Sequence, residues 1–179
     1  MDFFHHPFIY VNRTTTLVVE MKRAFRIGIS FGLPSGIVTT LGLMVGLNSM
    51  TESSLVVIGG ILTIALADSF SDAMGIHFTQ ESQKFLSHKD IWKSTGFTFL
   101  FKFIFSSMFI IPVLIFERNK AVMISVLIGL FLIFFISYVI ARERNDNPAK
   151  VIGEHITITI GVILITHYVG IAISNVFGC

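Results

Sequence analysis

The chain has one cysteine, Cys179, at its last position, so it can form no disulfide within itself and no metal site built on several thiolates. It also has little charge: Asp, Glu, Lys and Arg make up 13% of its 179 residues. A formal charge of +2 gives no basic excess, and no nucleic-acid partner is expected. Missing too are a phosphate-binding glycine loop, a nucleophile elbow and an HExxH pair, so neither an enzymatic activity nor a prosthetic group is expected. The first 25 residues contain His5, His6, Pro7, Arg13, Glu20, Lys22 and Arg23 without a clean apolar stretch, which argues against a cleavable signal peptide.

What the chain has is apolar surface. Hydrophobic residues make up 53% of it, 19 of them Phe, and the mean hydropathy is +0.80. A water-soluble core of this size does not need so much, and the composition reads as an integral membrane protein. Crossing the hydrocarbon takes about 20 apolar residues in a helix. Segments of that kind run over Ile27–Leu47, Leu55–His77, Ser94–Phe116, Ala121–Ala141 and Val151–Val176. The expected fold is all-α, a single five-helix transmembrane domain over 27–179, preceded by a lead-in over 1–26. In that lead-in Leu17, Val18, Met21 and Phe25 share one side of an amphipathic helix over Thr14–Arg26, which reads as an interfacial anchor.

Charge placement gives the expected orientation. With the N-terminus inside, the inner segments carry Arg13, Lys22, Arg23, Arg26, Lys84, Lys89, Lys93, Arg142, Arg144 and Lys150, and the outer ones only Arg118 and Lys120. The N-terminus is expected in the cytoplasm and the C-terminus opposite, in a bacterial inner membrane or an organelle membrane. The fifth span has a readable start, with Asp146 or Asn147 as N-cap and Pro148 in the first turn.

Two aspartates, Asp68 and Asp72, follow the uncharged run Leu55–Ala67 inside the second span. A carboxylate in hydrocarbon must pair, protonate or line a wet cavity. Spacing i, i+4 places both on one helical face, about 6 Å apart, a geometry for holding a cation or a shared proton. Lys102 lies at similar depth on the third span. It either snorkels to the interface or contacts an aspartate, in which case it competes with a bound cation. On the first span Gly28, Gly32 and Gly36 repeat at i+4, as do Gly42 and Gly46, allowing close helix approach. Pro34 interrupts that helix, and Ser35, Thr39 and Thr40 bring hydroxyl oxygens to the interruption. The fourth span has no ionisable side chain but Tyr138 and reads as a lipid-facing wall.

The run Ser35-Gly36-Ile37-Val38-Thr39-Thr40-Leu41-Gly42-Leu43-Met44-Val45-Gly46 resembles the first-helix signature of the vacuolar iron transporter family. Ser71-Asp72-Ala73-Met74-Gly75-Ile76-His77, followed by Glu81-Ser82-Gln83, is similar to that family's second helix. The resemblance implies a homodimer in the lipid bilayer with a path between first and second helices. It implies export of Fe²⁺ or Mn²⁺ from the cytoplasm in exchange for protons. Carried onto this chain, it puts the transported divalent cation among Asp68, Asp72, Ser35, Thr39, Met44 and Met74, with Lys102 in proton coupling or pairing. Ser35 stands where the family signature has aspartate, and residues Phe78–Lys93 are too few for the family's Glu-rich insert. Asp68-Ser69-Phe70-Ser71-Asp72 also resembles the closing half of the CDP-alcohol phosphotransferase signature, but Ile64 stands where that pattern needs glycine. The reading from a different class is a non-transporting membrane scaffold or partner subunit with a structural Asp–Lys network.

Overall fold

A computed structural model describes residues 13–83 and 86–178; His5 and His6 lie outside the described residues. Every described element is helical: α1 (Arg13–Ile27), a π-helical turn (Gly28–Gly32), α2 (Leu33–Met50), α3 (Ser54–Glu81), α4 (His88–Ser107), α5 (Ile110–Ile115), α6 (Arg118–Arg144) and α7 (Pro148–Phe177). Together they supply 5 helices long and apolar enough to cross a membrane: Val19–Met50, Ser54–Glu81, His88–Ile115, Arg118–Arg144 and Pro148–Phe177. The chain is an integral membrane protein by this measure.

The helix ends are written in side chains. Ser53 caps α3 by accepting from Val56 N–H at 3.4 Å, and Ser87 caps α4 by accepting from Asp90 N–H at 3.3 Å. The Ser87 cap starts the third span at His88, six positions before the apolar run that marked it in the sequence. Of the two candidate caps for α7, Asn147 is the one used; its side chain accepts from Ala149 N–H at 3.0 Å. The break between α4 and α5 precedes Pro112, which has no N–H to return to the Met108 carbonyl. Pro34 has the same effect on Ser30, and there the chain absorbs it by widening into the π-helical turn.

That turn joins α1 to α2 without a stop. The amphipathic segment expected as an interfacial anchor runs straight into the first span and packs on α4. Lys93 on α4 bonds Glu20 at 3.3 Å, and Phe25 meets Phe97 and Phe101 edge-on at 5.7 and 5.1 Å.

Helix α2 is the hub, with α3, α4, α6 and α7 packed around it. Its glycines and those of the π-helical turn make this possible. A Cβ on Gly28 would lie 2.6 Å from Phe97 Cβ, one on Gly32 2.8 Å from the Thr98 carbonyl, and one on Gly36 2.9 Å from Ser106 Oγ. Gly42 faces Val162 of α7 in the same way, at 2.9 Å. The close helix approach that these glycines allow is therefore consumed inside the protomer, against α4 and α7. Helix α6 is likewise more than a lipid-facing wall. Ala121, Ser125, Gly129, Ile133, Ser137 and Ala141 are buried along one of its sides. The apolar core lies around Ile37, Leu41, Met44, Val57, Ile61, Phe109 and Ile133.

Candidate functional site: a charged centre between three spans

Asp68 lies close to the middle of α3, about 21 Å from its start and about 20 Å from its end at 1.5 Å per residue. Asp72 is one turn further on. Opposite them, the close approach of the π-helical turn and α2 to α4 delivers Lys102. Its side chain is 1% exposed, so it does not snorkel. The Lys102 ammonium forms an ion pair with Asp68 Oδ2 at 2.6 Å, bonds Asp72 Oδ2, and donates to Ser35 Oγ at 3.0 Å. Ser35 Oγ in turn donates to Asp72 Oδ2 at 2.7 Å. Four side chains from three spans thus form one group. Ser106, one turn beyond Lys102, donates to the Gly36 carbonyl at 3.2 Å and pins α4 to α2 beside it.

With its members ionised, this centre carries two negative charges and one positive, a net charge of −1. In a low-dielectric setting an uncompensated charge is expensive. The two carboxylates are not sealed. Their side chains are 27% and 21% exposed, for Asp68 and Asp72 respectively. Asp68 borders a groove of about 720 Å³ between α2 and α3, which Thr39, Thr63 and Ser71 also line.

Of the other residues singled out in the sequence, Thr39 is adjacent but turned to its own helix, donating to the Ser35 carbonyl at 2.9 Å. Its oxygen keeps acceptor capacity toward the groove. Met44 is fully buried in the apolar core, and Met74 is 41% exposed on the bundle surface. Neither thioether belongs to the hydrogen-bonded group around Lys102. Among the described residues no set of three or more His, Cys, Asp or Glu side chains stands ready to hold a metal ion within one chain. Compared with protein-family models, curated proteins and solved structures, the chain matches none. The family resemblance therefore rests on its motifs alone, and the functional reading on the geometry.

One face of α3 is lined with small side chains. Gly59, Thr63, Ala67, Ser71, Gly75 and Thr79 recur at every fourth position of α3, and all are exposed. Cβ atoms added at Gly59 or Gly75 would meet open space. This stripe of small residues runs the length of the helix and borders the Asp68 groove.

Three histidines of the spans sit against hydroxyls. His77 Nδ1 lies 3.1 Å from Thr95 Oγ1, His155 Nδ1 2.8 Å from Ser137 Oγ, and His167 Nδ1 2.6 Å from Ser49 Oγ. Each of these hydroxyls already gives its only hydrogen to a carbonyl on its own helix: Ile91, Ile133 and Val45. Each imidazole is therefore placed to donate through Nδ1–H, and Nε2 of His77 lies 4.0 Å from Glu81 Oε2.

Proposed function

We propose that this chain is a proton-coupled membrane transporter of a divalent metal, Fe²⁺ or Mn²⁺, working as a homodimer. The observation that carries the reading is the surplus negative charge of the Asp68–Asp72–Lys102 group, buried between three spans beside a groove. A structural ion network has no need of the second carboxylate. A site that alternates between cations does: Lys102 neutralises one aspartate, and the remaining charge takes a proton or helps to bind metal. Carboxylate and hydroxyl oxygens suit Mn²⁺ and Fe²⁺ among divalent ions.

One chain offers too few ligands, so the metal reading needs the second copy. The small-residue stripe on α3 supports such a contact, because helices that present small side chains at i, i+4 approach closely in lipid. Two copies meeting along that stripe bring the Asp68 grooves together and place four aspartates around one axis. Orientation follows the charge bias, with the Arg144–Lys150 end in the cytoplasm and metal moving away from it.

The test is metal uptake into sealed proteoliposomes with and without a pH gradient. Mn²⁺ or Fe²⁺ accumulation that rises with the gradient and vanishes in Asp72→Asn is the expected result. Equal uptake by the unmutated protein, Asp68→Asn and Asp72→Asn would overturn it. The competing scaffold reading is favoured by one observation, the near-complete burial of Lys102. It predicts no uptake at all and no metal-dependent rise in melting temperature.

A further inference from the structure

On α1 the residues Met21, Lys22, Phe25, Arg26 and Ile29 recur at helical spacing and share one face. Helix α1 packs on α4, and α6 packs on α2 and α7. Between α1 and α6 lies a groove of about 660 Å³. The face just named forms one wall, and Phe135, Ile136, Val139 and Glu143 of α6 form the other. Each wall, Met21 to Ile29 and Glu143 to Phe135, runs about 12 Å at 1.5 Å per residue.

Charge stands at one end of this groove, where α6 reaches Arg144. Lys22 has no ion pair among the described residues. Arg26 Nε lies 3.9 Å from Glu143 Oε2, and the two side chains are 70% and 53% exposed, so the pair is loose and solvated. Two cations and one carboxylate leave this end with a net charge of +1. The depth is that of lipid headgroups. The first span, Val19–Met50, has 32 residues, about 48 Å of helix against about 30 Å of hydrocarbon. Centred on the bilayer, it leaves its first turns, with Lys22 and Arg26, at the interface. Beyond the charges the walls are apolar, and Phe25 and Phe135 are exposed along them.

We propose that this groove holds one anionic phospholipid of the surrounding membrane, with its phosphate between Lys22 and Arg26 and an acyl chain along Phe25, Ile29 and Val139. The site makes no use of Asp68, Asp72 or Lys102 and is independent of any transported ion.

Charge and shape select this occupant. A phosphodiester bears one negative charge, which balances the surplus at the mouth. The Arg26 guanidinium offers a fork that matches two phosphate oxygens, and Lys22 adds a point charge beside it. Basic groups set between spans at the interface recognise acidic headgroups in this way. A zwitterionic head brings its own ammonium, which leaves the surplus uncompensated. The chain below the phosphate covers aromatic and aliphatic surface that α1 and α6 do not cover for each other.

Native mass spectrometry of the detergent-solubilised chain tests the site, with phosphatidylglycerol or phosphatidylcholine of the same acyl chains added. Phosphatidylglycerol should be retained as a single adduct, at least about fivefold more tightly than phosphatidylcholine. Lys22→Gln and Arg26→Gln should each weaken that binding about fivefold, the effect of one cation beside an acidic headgroup. Glu143→Gln should strengthen it, because Arg26 loses its competing partner. Lys150→Gln, at the same end of the bundle but in a different cavity, should leave it unchanged. All four side chains are exposed, so the fold is kept, and melting temperatures verify that. With a diazirine on the acyl chain and one lipid per protein, crosslinks should fall on residues 21–30 and 135–143. Equal retention of the two lipids, or a loss in Lys150→Gln as large as in Arg26→Gln, means a diffuse basic surface and overturns the site. Crosslinks spread evenly onto the exposed face of α7 at Leu164, Ile165 and Tyr168 mean unspecific lipid cover and overturn it as well. Displacement of phosphatidylglycerol by an equal concentration of inorganic phosphate means that phosphate alone is the ligand, and rejects the lipid.

Discussion

Lys102 and Asp72 come from different spans, and the hydroxyl of Ser35 touches both, accepting from the ammonium at 3.0 Å and donating to the carboxylate at 2.7 Å. The serine thus shares the pair's charge without adding to it. Substitutions at the two ionic positions should consequently differ in size.

Lys102→Met removes the one positive charge and leaves two carboxylates side by side. Breaking a buried ion pair from one side costs about 3–5 kcal/mol, so the melting temperature in detergent should fall steeply. Asp72→Asn keeps shape and brings the formal charge of the group to zero, so it should melt close to the unmutated protein. Thermal unfolding of both variants decides the matter; equal losses would mean that the surplus charge is compensated elsewhere.

Gly36→Leu should destabilise the protomer itself. The new side chain has to displace Ser106 and the Lys102 backbone, which lie 2.9 and 3.0 Å from an added Cβ. Overpacking of this kind costs about 1–3 kcal/mol. Gly75→Leu, at an open position, should leave the melting temperature within about 0.5 kcal/mol of stability. A loss in Gly75→Leu equal to that in Gly36→Leu would contradict the packing described.

Association should show the reverse pattern. Ala67→Leu and Gly75→Leu on the exposed stripe of α3 should shift the detergent-solubilised protein from dimer to monomer, as read by light scattering. Gly42→Leu, which faces α7, should not act on the dimer except through the fold. A monodisperse monomer for the unmutated chain removes the dimer.

At the opposite end of the bundle from Arg144, the Arg118 guanidinium donates to the Asn48 carbonyl at 2.8 Å, the Asn48 side chain at 3.0 Å and the Thr51 carbonyl at 2.8 Å. It closes the C-terminal end of α2 by satisfying carbonyls that have no helical partner. Charged hydrogen bonds contribute about 1.5–3 kcal/mol, so Arg118→Ala should lower the melting temperature measurably. Arg118→Lys should restore part of it, because all three bonds leave from one nitrogen, Nη1, whose place an ammonium can take in part. Amide exchange at residues 47–51 should rise with the loss.

The five spans were legible because twenty apolar residues in a row have few other uses, and the N-cap of the last was legible because Asn-Pro is a local signal. The ends of α4 were not, since Ser87 and Pro112 act through backbone geometry that hydropathy does not register. Periodicity identified the close-packing face of α2 but not its partner. Gly28, Gly32 and Gly36 permit a neighbour at short range, and only the fold decides that this is α4. The placement of Lys102 followed from that same choice, which is why depth alone left it between snorkelling and pairing. The stripe from Gly59 to Thr79 is written in the sequence at every fourth position, but small residues at that spacing do not say whether they face a neighbouring helix or the surface. Met44 lies in the apolar core, where a thioether is chiefly a packing group, and sequence does not separate packing from ligation.

The position of Asp68 halfway along α3 has an electrical consequence. A charge that reaches the middle of the hydrocarbon from either face has crossed about half of any voltage across it, ~1.1 kcal/mol for each 100 mV. On the transporter reading, occupancy of the centre by a proton would be biased by the membrane potential as well as by pH. A divalent ion would feel twice the bias of a proton, so polarising the membrane would change which of the two holds the site.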